Sequence, residues 1–298
     1  MNRIKAEIIA DSLNEYGQRI TTFVLEFPRI VLAEFNTHRM LSRNSASSRA
    51  IPFKTMVEKV TNEPFIPIGW QKEHKGMQGN EYHDGPILPR QLDQEWLIAR
   101  DSAVLMAKLI HDRDVSKQVC NRLLEPFLYH KCICTATEWE NFFALRAEGS
   151  AEIHIQDLAY KMLDAYNVST PKQLKAGEWH IPFGDKINLP PTIPIDEGYT
   201  LDEGVAIRKV KIATARCARV SYLNFEGKDD YTADIKLHDT LLKSGHMSPF
   251  EHCAKAMDES DRDSSFYNNY FCGNFKGFVQ YRKTIENENK RDTRVITK

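Results

Sequence analysis

No apolar run in this 298-residue chain approaches the roughly 20 residues that a membrane-spanning helix needs. No charge of one sign dominates either: 40 basic residues stand against 41 acidic ones, for a net charge of −1. That balance argues against an extended basic face for nucleic acid while leaving room for a local basic pocket. The six cysteines, Cys120, Cys132, Cys134, Cys217, Cys253 and Cys272, form no C-x-x-C pair. Reduced, mostly buried thiols are therefore expected, and zinc or any other metal is not. No G-x-G-x-x-G leads into a helix, and the patterns G-x-x-x-x-G-K-[ST] and G-x-S-x-G are absent. The first residues, Met1-Asn2-Arg3-Ile4-Lys5-Ala6-Glu7, lack a signal-peptide core, which predicts a soluble, cytoplasmic protein without a membrane partner.

What is present suffices for a large core: 42% of residues are hydrophobic and 10% aromatic, the composition of a globular chain. Alternation predicts strands over 4–10 and 19–27 with a turn at Glu15–Gln18. Pro28-Arg29-Ile30-Val31-Leu32-Ala33-Glu34-Phe35 reads as a short helix with proline at its first position. Residues 51–91 carry Pro52, Pro64, Pro67, Pro86 and Pro89 with four glycines and read as a long irregular insertion. Helical spacing follows over 91–112, and a second helix from about Val115 carries Arg122 and stops at Pro126. Thr137-Glu138-Trp139-Glu140 fits a capping box opening a helix through Asn141, Phe142, Phe143, Leu145 and Arg146. A further helix sets Ile155, Leu158, Ala159, Met162, Leu163 and Tyr166 on one face before Pro171. Residues 177–206 read as a connecting segment, and a helix at 232–244 ends at Gly245.

The densest chemistry lies in Thr37-His38-Arg39-Met40-Leu41-Ser42-Arg43-Asn44-Ser45-Ala46-Ser47-Ser48-Arg49. Arginine forks and hydroxyls grip phosphate, so this hydroxyl-rich turn is a candidate anion site. It reads equally as a capped helix end followed by a polar loop. Arg146 ends a largely apolar helix face and needs anionic company, which Glu148 or Glu152 could supply. His246, Glu251 and His252 could approach a metal, but Pro249 breaks the helical spacing that such a pair of histidines needs; capping and packing explain His246 and Ser248 as well. No cysteine sits where its pKa would fall, so a thiolate nucleophile is not expected.

Four segments together resemble the flavin-dependent thymidylate synthases. Thr37-His38-Arg39, with Ser42, Asn44, Ser47 and Arg49, resembles that family's arginine–histidine–arginine signature. Asn141 to Arg146, followed by Ala151 and Glu152, is similar to its asparagine–leucine–arginine helix. Ala218-Arg219-Val220-Ser221-Tyr222 and His246-Met247-Ser248-Pro249-Phe250-Glu251-His252 look like its two other hallmarks. These segments cover about a ninth of the chain, in an order that looks circularly permuted. Phe278-Val279-Gln280-Tyr281-Arg282-Lys283 looks like a second, degenerate copy of the signature helix.

The resemblance implies an α+β fold, mixed helices and an antiparallel sheet in one domain spanning 1–298. It implies methylation of dUMP to dTMP with FAD, NADPH and methylenetetrahydrofolate, in a homotetramer whose sites form between subunits. By position, His38, Arg39, Asn141, Ser221 and His252 would bind the cofactors. Ser47, Arg49 and Arg122 would hold the nucleotide phosphate, and Arg146 would face the pyrimidine as substrate-binding and catalytic residue. Thr37 stands where the signature has arginine, Glu34 where it has glutamine, Ala50 where it has tyrosine and Ser150 where it has histidine. Those departures keep two other readings open: a flavin-dependent pyrimidine nucleotide hydroxymethylase, and a catalytically silent nucleotide-binding homologue.

Overall fold

The computed structural model describes residues 3–76, 79–190, 200–222, 230–263, 270–286 and 288, with no side-chain detail at 221, 222 and 263. Two ten-residue strands, β1 (Lys5–Asn14) and β2 (Arg19–Pro28), form an antiparallel hairpin. The Asn14 carboxamide oxygen accepts the N–H groups of Tyr16 at 3.1 Å and Gln18 at 2.9 Å, which fixes the turn between them. A register shift between Ile8 and Ala10 leaves Ile9 as a bulge, and its carbonyl accepts the N–H of Phe183 at 3.1 Å.

After β2, a 3-10 turn (Arg29–Val31) and the one-turn helix α1 (Leu32–Phe35) lead to β3 (Ser42–Ser45). Helices α2 (Phe53–Asn62), α3 (Leu88–His111) and α4 (Lys117–Cys120) follow, then a 3-10 segment (Asn121–Phe127) and β4 (Tyr129–Ala136). Next come α5 (Glu140–Arg146), α6 (Ile153–Val168), β5 (Lys172–Leu174) and β6 (Trp179–His180). The remainder holds α7 (Leu201–Tyr222), α8 (Tyr231–Ser244), a 3-10 turn (Ser248–Glu251), β7 (Ala254–Ala256), α9 (Glu259–Asp263) and β8 (Phe278–Gln280).

The main sheet has the order β3-β4-β2-β1-β5, antiparallel except where β5 joins β1; β6-β7-β8 form a smaller antiparallel sheet. The class is α+β, as expected. Strand alternation decides what covers each face. Phe23, Leu25 and Phe27 of β2, with Cys132, Cys134 and Ala136 of β4, pack with Phe142 of α5 and Ile155, Leu158, Ala159 and Met162 of α6. Val24 and Ile133 point the other way, onto Cys217 and Val220 of α7. All six cysteines are buried and free, and burial pushes the Cys132 thiol up to about 11 and Cys253 to about 12.

Several expectations need correction. Residues 51–91 are not wholly irregular: α2 occupies ten of them because Met56 and Val60, one turn apart, are buried against α3 and the segment after α4. Residues 177–206 are more than a connection, since they contain β6 and begin α7. No capping box opens α5: Trp139 is the cap, without a side-chain cap bond, and Thr137 Oγ1 instead accepts the Lys276 N–H at 3.0 Å. Phe278–Gln280 is a strand whose backbone pairs with β7, followed by a 3-10 turn, and no second signature helix forms there. Strand β4 itself was legible only as an apolar buried segment, because its two cysteines carry no strand pattern.

A buried polar chain ties the two sheets together. Thr22 and Thr135 are cross-strand neighbours whose hydroxyls meet at 2.8 Å. Thr22 also bonds His180 Nε2 at 2.8 Å, Ser12 bonds His180 Nδ1 at 2.9 Å, and Thr135 bonds His252 Nδ1 at 2.9 Å. Burial pushes His180, His252 and the separate His130 down to about 3, from 6.5. These rings stay neutral when folded, whereas the unfolded chain protonates them near pH 6.5. Their contribution is therefore full above pH 6.5 and is lost as pH falls towards 3. Unfolding at pH 5.5 should take up about three protons, with a slope of roughly 4 kcal/mol per pH unit. Urea titrations between pH 7 and 5 measure this, and a flat midpoint over that range would contradict it.

Candidate functional site

Strands β2 and β3 flank β4 and both run antiparallel to it, so they are parallel to each other and residues 29–41 must cross β4. Val31, Phe35 and Leu41 are buried in the core beneath that crossing. Arg43 Nη1 donates to the carbonyls of His38 at 2.8 Å and Phe35 at 3.3 Å, holding its end. Because Ser42 pairs with Thr135, the crossing delivers His38 and Arg39 to the end of β4 from which α5 starts.

A cleft of about 860 Å³ opens there, lined by His38, Arg39, Asn141 and Arg146, with Met40, Phe142 and Leu145 as apolar wall. Four expected site residues from two distant segments thus share one cleft. His38 stands edge-on to Phe142, with ring centroids 4.9 Å apart. Arg146 Nε donates to His38 Nε2 at 3.0 Å, and its Nη1 pairs with Glu34. The ring nitrogen that accepts from Arg146 carries a lone pair, which assigns the proton of neutral His38 to Nδ1. Burial, then the charges of Arg146 and Arg43, hold His38 below the usual histidine range. Burial also raises the Glu34 carboxyl, against the pull of Arg146.

The acidic partner of Arg146 is therefore Glu34, rather than Glu148 or Glu152. Glu148 is turned to Ser150, while Glu152 caps α6 through the N–H groups of His154 at 3.0 Å and Ile155 at 3.1 Å. Glu34 sits on α1, over a hundred residues away in sequence, so only the crossing over β4 brings it within reach. Thr37 is exposed and donates its hydroxyl to the Glu34 carbonyl at 2.7 Å. Chemically, the cleft offers the donors of Arg39 and Asn141, a neutral imidazole, an arginine partly neutralised by a carboxylate, an apolar wall, and the carboxylates of Glu138, paired with Lys276, and Glu140. That set suits a planar, oxygen-rich or anionic group.

Ser47, Arg49 and Arg122 gather elsewhere, at the other end of β3. The Ser47 carbonyl accepts the Ala50 N–H at 3.0 Å, and Asn121 Nδ2 donates to the carbonyls of Ser48 at 2.7 Å and Ile51 at 3.0 Å. Asn121 thereby places its neighbour Arg122 beside the turn. Arg49 and Arg122 are both exposed. The four residues of β3, at about 3.3 Å each, put on the order of 13 Å between this turn and the cleft. Ala46 and Ser48 face a second cleft, of about 650 Å³, lined also by Arg3, Arg29, Lys59, Lys131, Glu26 and Glu63.

The serine-rich stretch is thus only partly a turn. Ser42 and Asn44 are buried on β3: Asn44 Nδ2 donates to the Cys217 carbonyl at 2.9 Å, and Ser248 Oγ donates to Asn44 Oδ1 at 3.1 Å. His252 has no exposed surface, so within this chain it cannot touch a cofactor in either cleft. Ser221 lies in α7, and its side chain falls outside the described residues. His246 bonds Ser244 at 2.8 Å and Glu251 pairs with Arg282 at 2.5 Å. Among the described residues no group of three or more His, Cys, Asp or Glu is placed to hold a metal. The role of Arg43 went unread because its partners are backbone carbonyls, which leave no trace in side-chain spacing. Lys131 and Arg29 of the second cleft went unread because they are far from the serine turn in sequence.

No protein-family model matches the chain, and no curated protein matches it. Among solved structures, the chain is similar to the UMP/dUMP methylase PolB from Streptomyces cacaoi bound with 5-Br UMP, at 15% identity and a TM-score of 0.45, over 56% of this chain and 89% of that one. The same enzyme bound with 5-Br dUMP matches at 17% identity and a TM-score of 0.39, over 50% of this chain and 65% of that chain. The second match therefore spans just under two thirds of that protein.

Two outcomes follow from the cleft. Arg146→Met should raise the His38 pKa towards 6.5, because a depressing positive charge is removed; proton NMR titration of the ring reads this, and an unchanged value would contradict it. Phe142→Ala should cost about 3–5 kcal/mol in urea unfolding, since Phe142 is buried between Phe35, Trp139 and His38.

Proposed function

We propose that this protein is a flavin- and folate-dependent enzyme that methylates dUMP to dTMP, on a fold of the flavin-dependent thymidylate synthase kind. The observation that carries the reading is the convergence of His38, Arg39, Asn141 and Arg146 on one cleft. Their chemistry fits the flavin of FAD: amide and guanidinium donors for its carbonyls and phosphates, with an apolar wall for its ring. When bound, FAD reduced by NADPH supplies the hydride that completes the methyl group, the carbon coming from methylenetetrahydrofolate.

The chain's own residues then have distinct tasks. Arg39 and Asn141 hold the cofactor, and neutral His38 offers Nδ1–H as a donor while its other nitrogen stays on Arg146. Arg146 polarises the pyrimidine by charge-assisted hydrogen bonds, a task that requires it to release Glu34 at least in part. Ser47, Arg49 and Arg122 grip the nucleotide phosphate at their end of β3. His252 acts from within the buried chain as a positioning residue, and Ser221 is assigned to the cofactor. Because one chain holds the two groups at opposite ends of β3, the reading includes a homo-oligomer, a tetramer, in which subunits complete each other's sites.

A second reading, a catalytically silent nucleotide binder, is favoured by the Glu34–Arg146 pair, which neutralises the proposed catalytic cation. Absorbance of the purified protein in the flavin region, followed by mass analysis of dUMP incubated with methylenetetrahydrofolate and NADPH, separates the readings. A methyl increment supports the first, a hydroxymethyl increment supports the hydroxymethylase alternative, and an unmodified nucleotide overturns both. Arg146→Ala should abolish turnover while the protein stays yellow. Loss of flavin together with activity would mean that Arg146 serves the cofactor or the fold.

A further inference from the structure

Helix α3 belongs to none of the four segments that resemble the family, yet it leaves an unusual amount of apolar surface uncovered. Its inner face is accounted for: Arg100, Val104 and Ala107 are buried, and Trp96 and Ala103 pack with Leu124 and Phe127. On the opposite face Ile98 is 63% exposed, Leu105 54% and Leu109 47%. At 3.6 residues per turn, Ile98, Ser102, Leu105 and Leu109 form one straight seam. Beside α3, α4 and the segment after it expose Val119 and Leu123. Three exposed aliphatic side chains in line on one helix face mark an interaction surface rather than scattered surface residues.

We infer that this face is where a second copy of the chain docks, through antiparallel pairing of the two α3 helices about a two-fold axis. The seam is symmetric: its spacings of four, three and four residues read the same from either end. Turning one helix end for end therefore sets Ile98 against Leu109 of the second copy and Ser102 against Leu105, which is the self-complementarity a two-fold interface needs. The flanking charges fit the same axis. Asp101 and Lys108 are exposed and fall on the same side of the seam. In a two-fold pair that side faces its own copy, so each Asp101 lies within about one helical turn of the other copy's Lys108, and the contact occurs twice. Asp101 also meets Arg100 of its own helix at 2.7 Å, a contact that pairing need not break. A helix of 24 residues is about 36 Å long, enough to extend the contact beyond the seam at both ends. The reciprocal Asp101–Lys108 pairing, which a two-fold axis supplies twice, favours a second copy over a heterologous partner.

The test is the mass of the full-length protein in solution by sedimentation velocity from about 1 to 50 μM, with circular dichroism confirming the fold of each variant. A concentration-dependent dimer or higher oligomer is expected. Leu105→Glu, on the exposed face, should weaken the α3 contact by roughly tenfold or more. Asp101→Lys and Lys108→Asp should each weaken it, because each sets like charges across the axis, and the double variant should restore it. A monomer throughout the range would overturn the proposal. So would an oligomer that Leu105→Glu leaves unchanged, or a double variant no better than the singles.

Discussion

The position of β4 between β2 and β3 is the constraint on which the rest depends. Two strands antiparallel to the same neighbour are parallel to each other, and parallel strands cannot be joined by a tight turn. The thirteen residues from Arg29 to Leu41 must therefore travel the length of β4, and their buried Val31, Phe35 and Leu41 fix the path. That path sets His38 and Arg39 beside α5 at one end of β4 and leaves Ser47 and Arg49 at the other. One topological requirement thus divides a single polar stretch between two places.

Electrostatics within the cleft follow from the same crossing. Glu34 reaches Arg146 only because α1 lies over the sheet next to α5, and Arg146 then fixes the tautomer of His38. The carboxylate is half-buried, so its attraction for Arg146 competes with its own desolvation. A ligand that satisfies Arg146 better than Glu34 does can take its place. The Glu34–Arg146 pair thereby both occupies the guanidinium and keeps it in position in the cleft.

On the other face of the sheet, a buried polar chain joins the two sheets alongside the apolar contacts of Ile20 and Leu174 with Ala254, Ala256 and Phe278. The chain from Ser12 through His180, Thr22 and Thr135 to His252 crosses from β1 to the segment leading into β7. Every link is directional, so it specifies how the small sheet sits on the large one more sharply than apolar packing would. Its histidines remain neutral because burial outweighs the one favourable charge acting on them, that of Asp11 on His180.

The sequence by itself determined the local pieces: the β1–β2 hairpin from alternation and its turn, α6 from its apolar face, the end of α8 from Gly245, and the buried thiols from their apolar surroundings. It also singled out His38, Arg39 and Arg146 from their unusual side chains, and Asn141 through the family resemblance. Only the tertiary structure decided their company. That Arg146 pairs with Glu34 rather than a nearer acid, that Ser42 and Asn44 are buried strand residues of which Asn44 holds α7, and that His252 is sealed in the core all depend on contacts between distant segments. The physical reason is that spacing along a chain reports hydrogen bonds and faces within one element, whereas a side chain's charge partner and burial are set by which elements pack together.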